Sequence, residues 1–333
     1  MKIFVTGIAG LLGSHLAERL IKDGHEVSGC DNLIGGYREN VPEGATFYEM
    51  DCNERVKLVE ILQGVDVVYH AACTAYEGLS VFSPHFITEN TSGITMSVFS
   101  ASIQARVKRF VYLSSMARYG TQEWPFTEDM LPKPQDPYGV AKYASEMSIK
   151  ELSSTHGIQY VVVVPHNIIG VRQKYDDPFR NVASIFINKM LQGQSPVIYG
   201  DGQQMRCFSF VDDVVEPLVK VGIEDGMHGQ VINVGPDKGE ITIKQLYETV
   251  ARLTGFEGQP IYLPDRPREV KIAYCSADKA RKLLGYEAKT SLEKGLQEMV
   301  EWIKAKGTKP FNYHLPIEID NDLLPKSWKE KLI

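Results

Sequence analysis

Tyr138 and Lys142 are the two residues of this chain whose types and spacing most clearly allow chemistry. They stand four apart in the run Asp136-Pro-Tyr-Gly-Val-Ala-Lys142, so on a helix they lie on one face. A nearby ammonium favours the phenolate and lowers a tyrosine pKa that is ordinarily about 10, which lets the phenol act as a general base. Aromatic packing on a lysine stem is the alternative interpretation, and other residues must decide between the two.

The elements that must position this pair follow from alternating β-branched runs and amphipathic stretches, which predict a Rossmann-type doubly wound parallel sheet. Strands are predicted at 3–6, 26–30, 46–50, 65–70, 109–114, 159–165 and 231–234. Helices are predicted at 11–22, 90–105, 138–155, 181–191 and 211–221.

A smaller C-terminal α/β substrate domain is expected after Pro165, where Gly/Pro/Asp-rich connections surround shorter elements. We assign 1–165 and about 208–235 to the first domain, and 166–207 and 236–308 to the second. Residues 309–333 form a polar, proline-punctuated C-terminal tail that is expected to wrap the surface or a subunit partner.

The bulk properties narrow the class of protein. The chain has 333 residues, a net charge of −6 and no basic block, so a nucleic-acid footprint is not expected. No apolar stretch is long enough for a signal core or a membrane span. Five scattered cysteines without a Cys-x-x-Cys pair argue against a metal site and a disulfide framework, and indicate a reducing, cytoplasmic location.

The glycine loop Gly7-Ile-Ala-Gly10-Leu-Leu-Gly13 directly follows the first strand and opens the first helix. In this context the glycines allow a tight turn and close approach to a pyrophosphate at the positive end of the helix. Asp31 ends the second strand 18 residues after Gly13, where an acid binds the ribose hydroxyls and repels a 2′-phosphate. NAD is therefore favoured over NADP. The nearby Arg38 is the one residue that weakens this preference.

The glycine loop, Asp31-Asn32, Asn90, Ser114-Ser115 before Tyr119-Gly120, and Tyr138-x-x-x-Lys142 follow one another in an order that resembles the extended short-chain dehydrogenase/reductase family. Within it the chain is similar to the NAD-dependent nucleotide-sugar epimerase/dehydratase branch, of the UDP-glucose 4-epimerase type. The similarity runs over 1–304 or so.

The resemblance implies a role for each matching residue. Tyr138 is the expected base, Lys142 lowers its pKa and holds the nicotinamide ribose, and Ser115 bonds the reacting oxygen. Asn167, Arg206 and Arg266 match residues that bind the sugar-nucleotide diphosphate, and Ala273 takes the place of a size gate. The cofactor contacts are expected from Gly7, Gly10, Leu11, Leu12, Gly13, Asp31, Asn32, Asp51, Cys52, Ala71, Ala72, Asn90, Tyr138, Lys142 and Pro165. For Asp51 a turn or capping role is an equally good interpretation.

The expected reaction depends on what is missing near the tyrosine of Tyr119-Gly120. Dehydratases and decarboxylases of this branch carry an acid where this chain has Met116 or Ala117, and 3,5-epimerases need a cysteine at Ala117 and a lysine where Asp177 stands. A 4-epimerase that oxidises C4 and returns the same hydride needs no further group. A reductase of NDP-4-keto sugars, and epimerases acting at C2 or C3/C5, are the alternatives.

The sequence is less specific about the substrate than about the cofactor. A UDP-sugar is expected, and Ala273, unlike a bulky tyrosine, is compatible with a large C2 substituent. Glu77 and Arg268 are candidates for contacting the sugar. The alternative interpretation is that both are solvated loop residues. The helices predicted at 90–105 and 138–155 resemble those that form four-helix dimer interfaces in this family, which predicts a homodimer.

Overall fold

The computed structural model describes residues 1–267 and 270–333. Arg268, a candidate for reading the sugar, and its neighbour Glu269 lie outside the described residues. The strands are β1 (Lys2–Thr6), β2 (Glu26–Asp31), β3 (Thr46–Glu49), β4 (Val67–His70), β5 (Arg109–Leu113), β6 (Gln159–Pro165), β7 (Ile168–Ile169), β8 (Val197–Tyr199), β9 (Met205–Arg206), β10 (Ser209–Phe210), β11 (Val231–Val234), β12 (Ile241–Thr242), β13 (Ile261–Leu263) and β14 (Ile272–Ala273).

The helices alternate with these strands as expected for a parallel sheet. They are α1 (Leu11–Lys22), α2 (Arg55–Ile61), α3 (Glu77–Ser80), α4 (Pro84–Thr88), α5 (Ile94–Gln104), α6 (Pro137–His156), α7 (Val182–Leu191), α8 (Val211–Ile223), α9 (Ile243–Thr254), α10 (Asp278–Leu284), α11 (Leu292–Lys306) and α12 (Lys326–Lys329).

The large sheet is parallel and has the order β3-β2-β1-β4-β5-β6-β11 within the described residues. Leu16 of α1 and Leu218 of α8 pack on one face, and Phe99 of α5 and Ile149 of α6 pack on the other. The strand order reverses between β1 and β4, which is where ligands bind in doubly wound sheets. The predicted Rossmann-type fold is confirmed.

A second body of structure follows β6. Helices α7, α9 and α11 enclose a core that includes Phe186, Leu246 and Val300. This part of the chain also contains small separate sheets, one of three strands in the order β12-β9-β14 and one of two strands, β13-β8. The chain returns to the large sheet at β11 between these parts, as the sequence predicted. The domain boundaries given above stay a prediction.

The predicted helix at 90–105 is wrong at its start. Glu89–Gly93 is a π-helical turn in which Asn90 has φ −85° and ψ 16°, and the regular helix α5 begins only at Ile94. The Asn90 side chain donates to the Phe86 carbonyl at 2.9 Å, while its own carbonyl accepts from Thr74 N at 3.2 Å. These local bonds compete with the helical pattern that periodicity alone predicts.

The C-terminal tail (309–333) packs on its own chain. Leu315, Leu324 and Trp328 are buried in a cluster with Phe82 and Phe179. The Glu318 carboxylate accepts from His85 N and Phe86 N at the start of α4, at 2.9 and 2.8 Å. The tail therefore packs against the start of α4 and against Phe82 and Phe179. Across 1–267 and 270–333, no helix combines the length and apolar character that a bilayer crossing requires.

Candidate active site

One cavity of about 520 Å³ lies beyond the carboxyl ends of β1 and β4 and extends toward α7, β9 and the tail. Its volume is within the usual range of about 300–1,000 Å³ for small-molecule sites. Every site residue predicted from the sequence lines it: Gly7, Gly10, Leu11, Leu12, Gly13, Asp31, Asn32, Asp51, Cys52, Ala71, Ala72, Asn90, Ser115, Tyr138, Lys142, Pro165, Asn167, Arg206, Arg266 and Ala273.

The glycine loop forms one end of this cavity. Gly7 has φ +72°, a left-handed conformation, and a Cβ built on it would lie 2.9 Å from Ala72 N. A Cβ on Gly13 would overlap the Gly7 carbonyl, so α1 can begin against β1 only because Gly13 has no side chain. Gly10 caps α1 without a side-chain bond, which leaves the helix N-terminus facing the cavity.

The acidic residues beside the loop have different partners. The Asp31 carboxylate accepts from Ala9 N at 3.0 Å and from Leu33 N at 2.7 Å, and burial raises its pKa. Asp51 accepts from Asn32 Nδ2 at 2.7 Å and from Asn53 N at 2.8 Å, so it makes the turn that was one of the two interpretations, on the cavity wall.

Arg38, the residue that weighed against NAD, points toward β3. Its guanidinium forms an ion pair with Glu49 and lies 5.6 Å from the centroid of the Phe47 ring. The side chain is mostly exposed, and it is absent from the cavity lining.

Tyr138 and Lys142 occupy the first turns of α6, deep in the cavity. Asp136 caps the helix by accepting from Gly139 N at 2.8 Å, and Pro137 follows in the first turn, so the helix begins just before Tyr138. Lys142 is 2% exposed and its Nζ donates to the Leu113 carbonyl at 2.7 Å. The same Nζ lies 5.9 Å from the centroid of the Tyr138 ring.

The predicted pKa of Tyr138 is wrong for this structure. Burial raises the pKa of the phenol well above its ordinary value, and a hydrogen bond with Ser115 opposes that shift only in part. Cys73, Tyr112 and Glu77 add to this rise in pKa, while the Lys142 ammonium is held against the Leu113 carbonyl, 5.9 Å from the ring centroid. Spacing along the helix predicted the neighbour but not the depth of burial.

The structure distinguishes Ser115 from Ser114. The Ser114 hydroxyl donates to the buried carboxylate of Glu146, which forms an ion pair with Arg118 at 3.2 Å. Ser115 Oγ caps a short 3-10 turn by accepting from Ala117 N at 3.2 Å, and it is the hydroxyl hydrogen-bonded to Tyr138. The sequence-based choice of Ser115 agrees with this arrangement.

The residues expected at the diphosphate also line this cavity. Asn167 has φ 44° and its amide donates to the Cys207 carbonyl at 3.0 Å. Arg206 lies on β9 and donates to the Met205 carbonyl at 2.8 Å, beside the buried Ala273 of the paired strand β14. The Arg266 guanidinium lies 4.6 Å from the centroid of the Tyr199 ring.

Comparison with known proteins agrees with this site. Residues 3–235 match the model of the NAD dependent epimerase/dehydratase family. The chain belongs to that family. The matched range contains β1 to β11, and with them the glycine loop, Ser115, Tyr138 and Lys142.

Individual members of the epimerase/dehydratase family are similar over nearly the whole chain. A curated relative from Methanocaldococcus jannaschii, named putative UDP-glucose 4-epimerase, is 32% identical and covers 91% of this chain and 98% of its own. The Thermotoga maritima UDP-glucose 4-epimerase, solved with UDP-glucose, has a TM-score of 0.85, 34% identity and coverage of 92% and 99%. A Bacillus cereus UDP-glucuronic acid 4-epimerase, solved with UDP-glucuronic acid and NAD, has a TM-score of 0.85, 28% identity and coverage of 92% and 100%. Curated relatives also include UDP-sugar decarboxylases.

NAD is the cofactor of this epimerase/dehydratase family member, and the residues present fit it. The cradle at Gly7 and Gly13 is one that a Cβ would fill, so backbone amides can approach a pyrophosphate. The Asp31 carboxylate stands at the end of β2, where ribose hydroxyls are bound. The prediction of an NAD-dependent enzyme of the epimerase branch is confirmed.

Sequence reasoning missed three residues of the cavity wall. Cys73 follows β4 and hydrogen-bonds with Lys142, Arg180 reaches in from the loop before α7, and Trp328 belongs to the tail. The Gly35-Gly36 pair was the available signal for Arg180, because two glycines after Asp31 indicate a close approach. Trp328 had no local signal.

Proposed function

We propose that the protein is an NAD-dependent nucleotide-sugar epimerase that inverts C4 of an NDP-hexose through a transient 4-keto sugar. One observation carries the proposal: Tyr138, Ser115 and Lys142 line the same cavity, and Met116 and Ala117 stand where dehydratases and decarboxylases of this branch carry an acid. Such a set supports oxidation at a hydroxyl and its reversal.

Each of the three residues has a defined task. Tyr138 Oη takes the proton of the C4 hydroxyl and later returns it. Ser115 Oγ, hydrogen-bonded to Tyr138, holds the reacting oxygen beside the phenol. Lys142 contributes a buried positive charge fixed by the Leu113 carbonyl. NAD, when bound, accepts the hydride from C4, returns it, and carries a positive charge that favours the phenolate.

The groups around Tyr138 favour epimerisation over elimination or decarboxylation. Met116 and Ala117 line the cavity and cannot transfer a proton. Asp177, at the place of the 3,5-epimerase lysine, is fully buried and accepts from Tyr76 Oη at 2.6 Å and from Phe179 N at 2.9 Å. An acid committed to two such bonds is poorly placed to act on a sugar.

We propose a UDP-sugar as substrate, held by residues of 166–207 and 236–308. Asn167, Arg206 and Arg266 all line the cavity, and guanidinium groups suit a diphosphate because their planar donors match its oxygens. Clamping this group leaves the 4-keto sugar free to turn over between the two hydride transfers. The relatives named above that act on UDP-sugars support the nucleotide.

The size of the sugar pocket supports a broad C2 specificity. Ala273 is 4% exposed and presents only a methyl group at the place of the size gate. We therefore propose that N-acetyl sugars are accepted. Trp328 and Phe179 of the opposite side set the depth of the pocket.

A homodimer formed through α5 and α6 is the proposed assembly. Val140 and Met147 of α6 stand seven residues apart, and therefore on one face, and are 50% and 54% exposed. Light scattering should give twice the monomer mass, and Met147→Glu should reduce it. A monomer mass for the unmodified protein at micromolar concentration would reject this assembly.

All five cysteines are free, which supports the proposed cytoplasmic location.

The function is tested by offering pure protein UDP-glucose, UDP-N-acetylglucosamine, UDP-glucuronate and GDP-mannose without added cofactor. NMR of the mixtures should show a C4 epimer of at least one UDP-sugar, with no net formation of NADH. Conversion that requires added NADH would instead identify a reductase of NDP-4-keto sugars. A product changed at C2, C3 or C5, or a pentose with loss of CO₂, would contradict the proposal.

A further inference from the structure

Arg180 is a cation that the catalytic scheme above does not use. It stands in the loop between β7 and α7, next to the residue that caps α7, and its side chain is 15% exposed. Its Nε lies 3.3 Å from Asp177 Oδ2, and its guanidinium carbon lies 4.5 Å from the centroid of the Tyr76 ring. Tyr76 in turn donates to Asp177 at 2.6 Å. The inner half of the guanidinium is therefore held in place.

The outer half of the guanidinium is available for a ligand. Arg180 lines the cavity, and neither Nη1 nor Nη2 donates a hydrogen bond to any residue of 1–267 or 270–333. Only Nε of Arg180 is both buried and without a hydrogen bond, so Nη1 and Nη2 stay accessible from the cavity as donors. A dianionic ligand bound in the cavity beside Nη1 and Nη2 would accept hydrogen bonds from both nitrogens.

Gly35 leaves the space that the guanidinium occupies. A Cβ built on Gly35 would overlap Arg180 Nη2, and its three nearest heavy atoms all belong to Arg180. Gly35 does not have a left-handed backbone, so the lack of a side chain is explained by this approach and not by strain. Gly35 and Arg180, which are 145 positions apart in the sequence, therefore lie in contact at the cavity wall.

The position of Gly35 indicates which ligand Arg180 faces. The next residue, Gly36, packs so closely on Ala9 that a Cβ there would overlap the Ala9 carbonyl, and Tyr37 N donates to the same carbonyl at 3.2 Å. Arg180 therefore lies beside the glycine loop, between the Asp31 end of the cavity and the segment from Cys73 to Tyr76. The centre of a dinucleotide spanning these two ends is its pyrophosphate.

We infer that Arg180 reaches across from the substrate side and binds the pyrophosphate of NAD, and that Gly35 is required for this contact. The guanidinium adds two charge-assisted donors to the backbone amides of the glycine loop. It also joins the second body of structure to the cofactor, which slows release of NAD between turnovers. The diphosphate of the sugar nucleotide is the competing ligand, and Arg206 and Arg266 are its expected binders.

The experiment compares Arg180→Gln with Arg38→Gln, which removes the same charge from an exposed side chain outside the cavity. Binding of ADP-ribose, adenosine and UDP is measured by calorimetry on nucleotide-free protein, and NAD retained per purified protomer is determined after acid extraction. For Arg180→Gln we expect ADP-ribose binding to weaken about 10- to 100-fold, with adenosine and UDP binding unchanged. Arg38→Gln should leave all three unchanged.

A double-mutant cycle with Gly35→Ala tests the contact itself. The new methyl group displaces only the flexible end of Arg180, so the fold should be kept, and ADP-ribose binding should weaken as in Arg180→Gln. In the Arg180→Gln background the same change should have little further effect. The inference is overturned if the two losses are additive, if adenosine binding falls equally, if UDP binding alone weakens, or if Arg180→Gln retains NAD and ADP-ribose like the unmodified protein.

Discussion

Lys142 Nζ donates a 2.7 Å hydrogen bond to the backbone carbonyl of Leu113, the last residue of β5. This bond anchors the ammonium to the end of a buried strand at a fixed distance from Tyr138. A lysine side chain is flexible and strongly hydrated in water, so this hydrogen bond is what keeps the positive charge at one position inside the cavity.

Lys142→Met should move the pH dependence of turnover. Loss of the positive charge raises the pKa of Tyr138 further, so the limb of the profile that requires the phenolate shifts to higher pH. The measurement is kcat against pH with saturating substrate and bound NAD. An unshifted limb with a uniformly lower kcat would mean that Lys142 acts only in binding.

Tyr138→Phe should lower kcat by about 10²- to 10⁴-fold, because the proton acceptor is removed. The NAD content of the purified variant should not change. Tyr143→Phe is the matched control, since it removes a hydroxyl from the same helix outside the cavity lining. Unaltered turnover in Tyr138→Phe would refute the assigned base.

Gly13→Ala should abolish retention of NAD, because the new Cβ meets the Gly7 carbonyl and forces α1 away from β1. Gly93→Ala provides the comparison, since the nearest atom to its Cβ is Glu89 Cγ at 3.8 Å. NAD per protomer in the two purified variants is the readout. Equal NAD content would contradict the role given to the glycine loop.

Trp328→Leu should raise KM for the nucleotide sugar about tenfold without changing the NAD content, because the Trp328 ring lies beside Arg266 at Gly78 on the cavity wall. Trp124→Leu, a change at a 50% exposed tryptophan outside the lining, should leave KM as it is. Steady-state kinetics with the best UDP-sugar separate the two. An unchanged KM in Trp328→Leu would remove the tail from the site.

His70 should make the protein less stable in mild acid. It is fully buried between Thr6 Oγ1 at 2.8 Å and Thr95 Oγ1 at 3.0 Å, and burial lowers its pKa to about 3. Between that value and about 6.5 the unfolded chain binds the extra proton, so the free energy of unfolding falls as pH drops through this window.

The size of this effect is about 2 kcal/mol between pH 7 and pH 5. Urea unfolding at the two pH values measures it, and His70→Gln, which titrates in neither state, should lose that part of the difference. The same pH dependence in both proteins would show that other groups are responsible.

The large sheet and the chemistry at its edge could be predicted because their signals are local. Helical spacing relates Tyr138 to Lys142, and the loop from Gly7 to Gly13 carries its own turn geometry. The interruption at Asn90 was not predictable from periodicity, because a side-chain bond to Phe86 decides it. The raised pKa of Tyr138 depends on burial by many elements at once.

Contacts between distant segments were beyond sequence reasoning for the same reason. Arg180 meets Gly35 only after the second body of structure has folded against the sheet. Trp328 enters the cavity wall because Phe82 and Phe179, far apart in the chain, form its pocket. No local sequence pattern predicts such long-range contacts.

Deuterium labelling tests most directly whether Tyr138 serves a reversible oxidation at C4. The UDP-sugar that turns over is prepared with deuterium at C4 and incubated with the protein in ordinary water, without added NAD. We predict a C4 epimer that keeps its deuterium at C4, and no deuterium from D₂O at C2, C3 or C5 in the reciprocal experiment. Loss of the C4 label, or solvent deuterium at a neighbouring carbon, would contradict the proposed 4-epimerase.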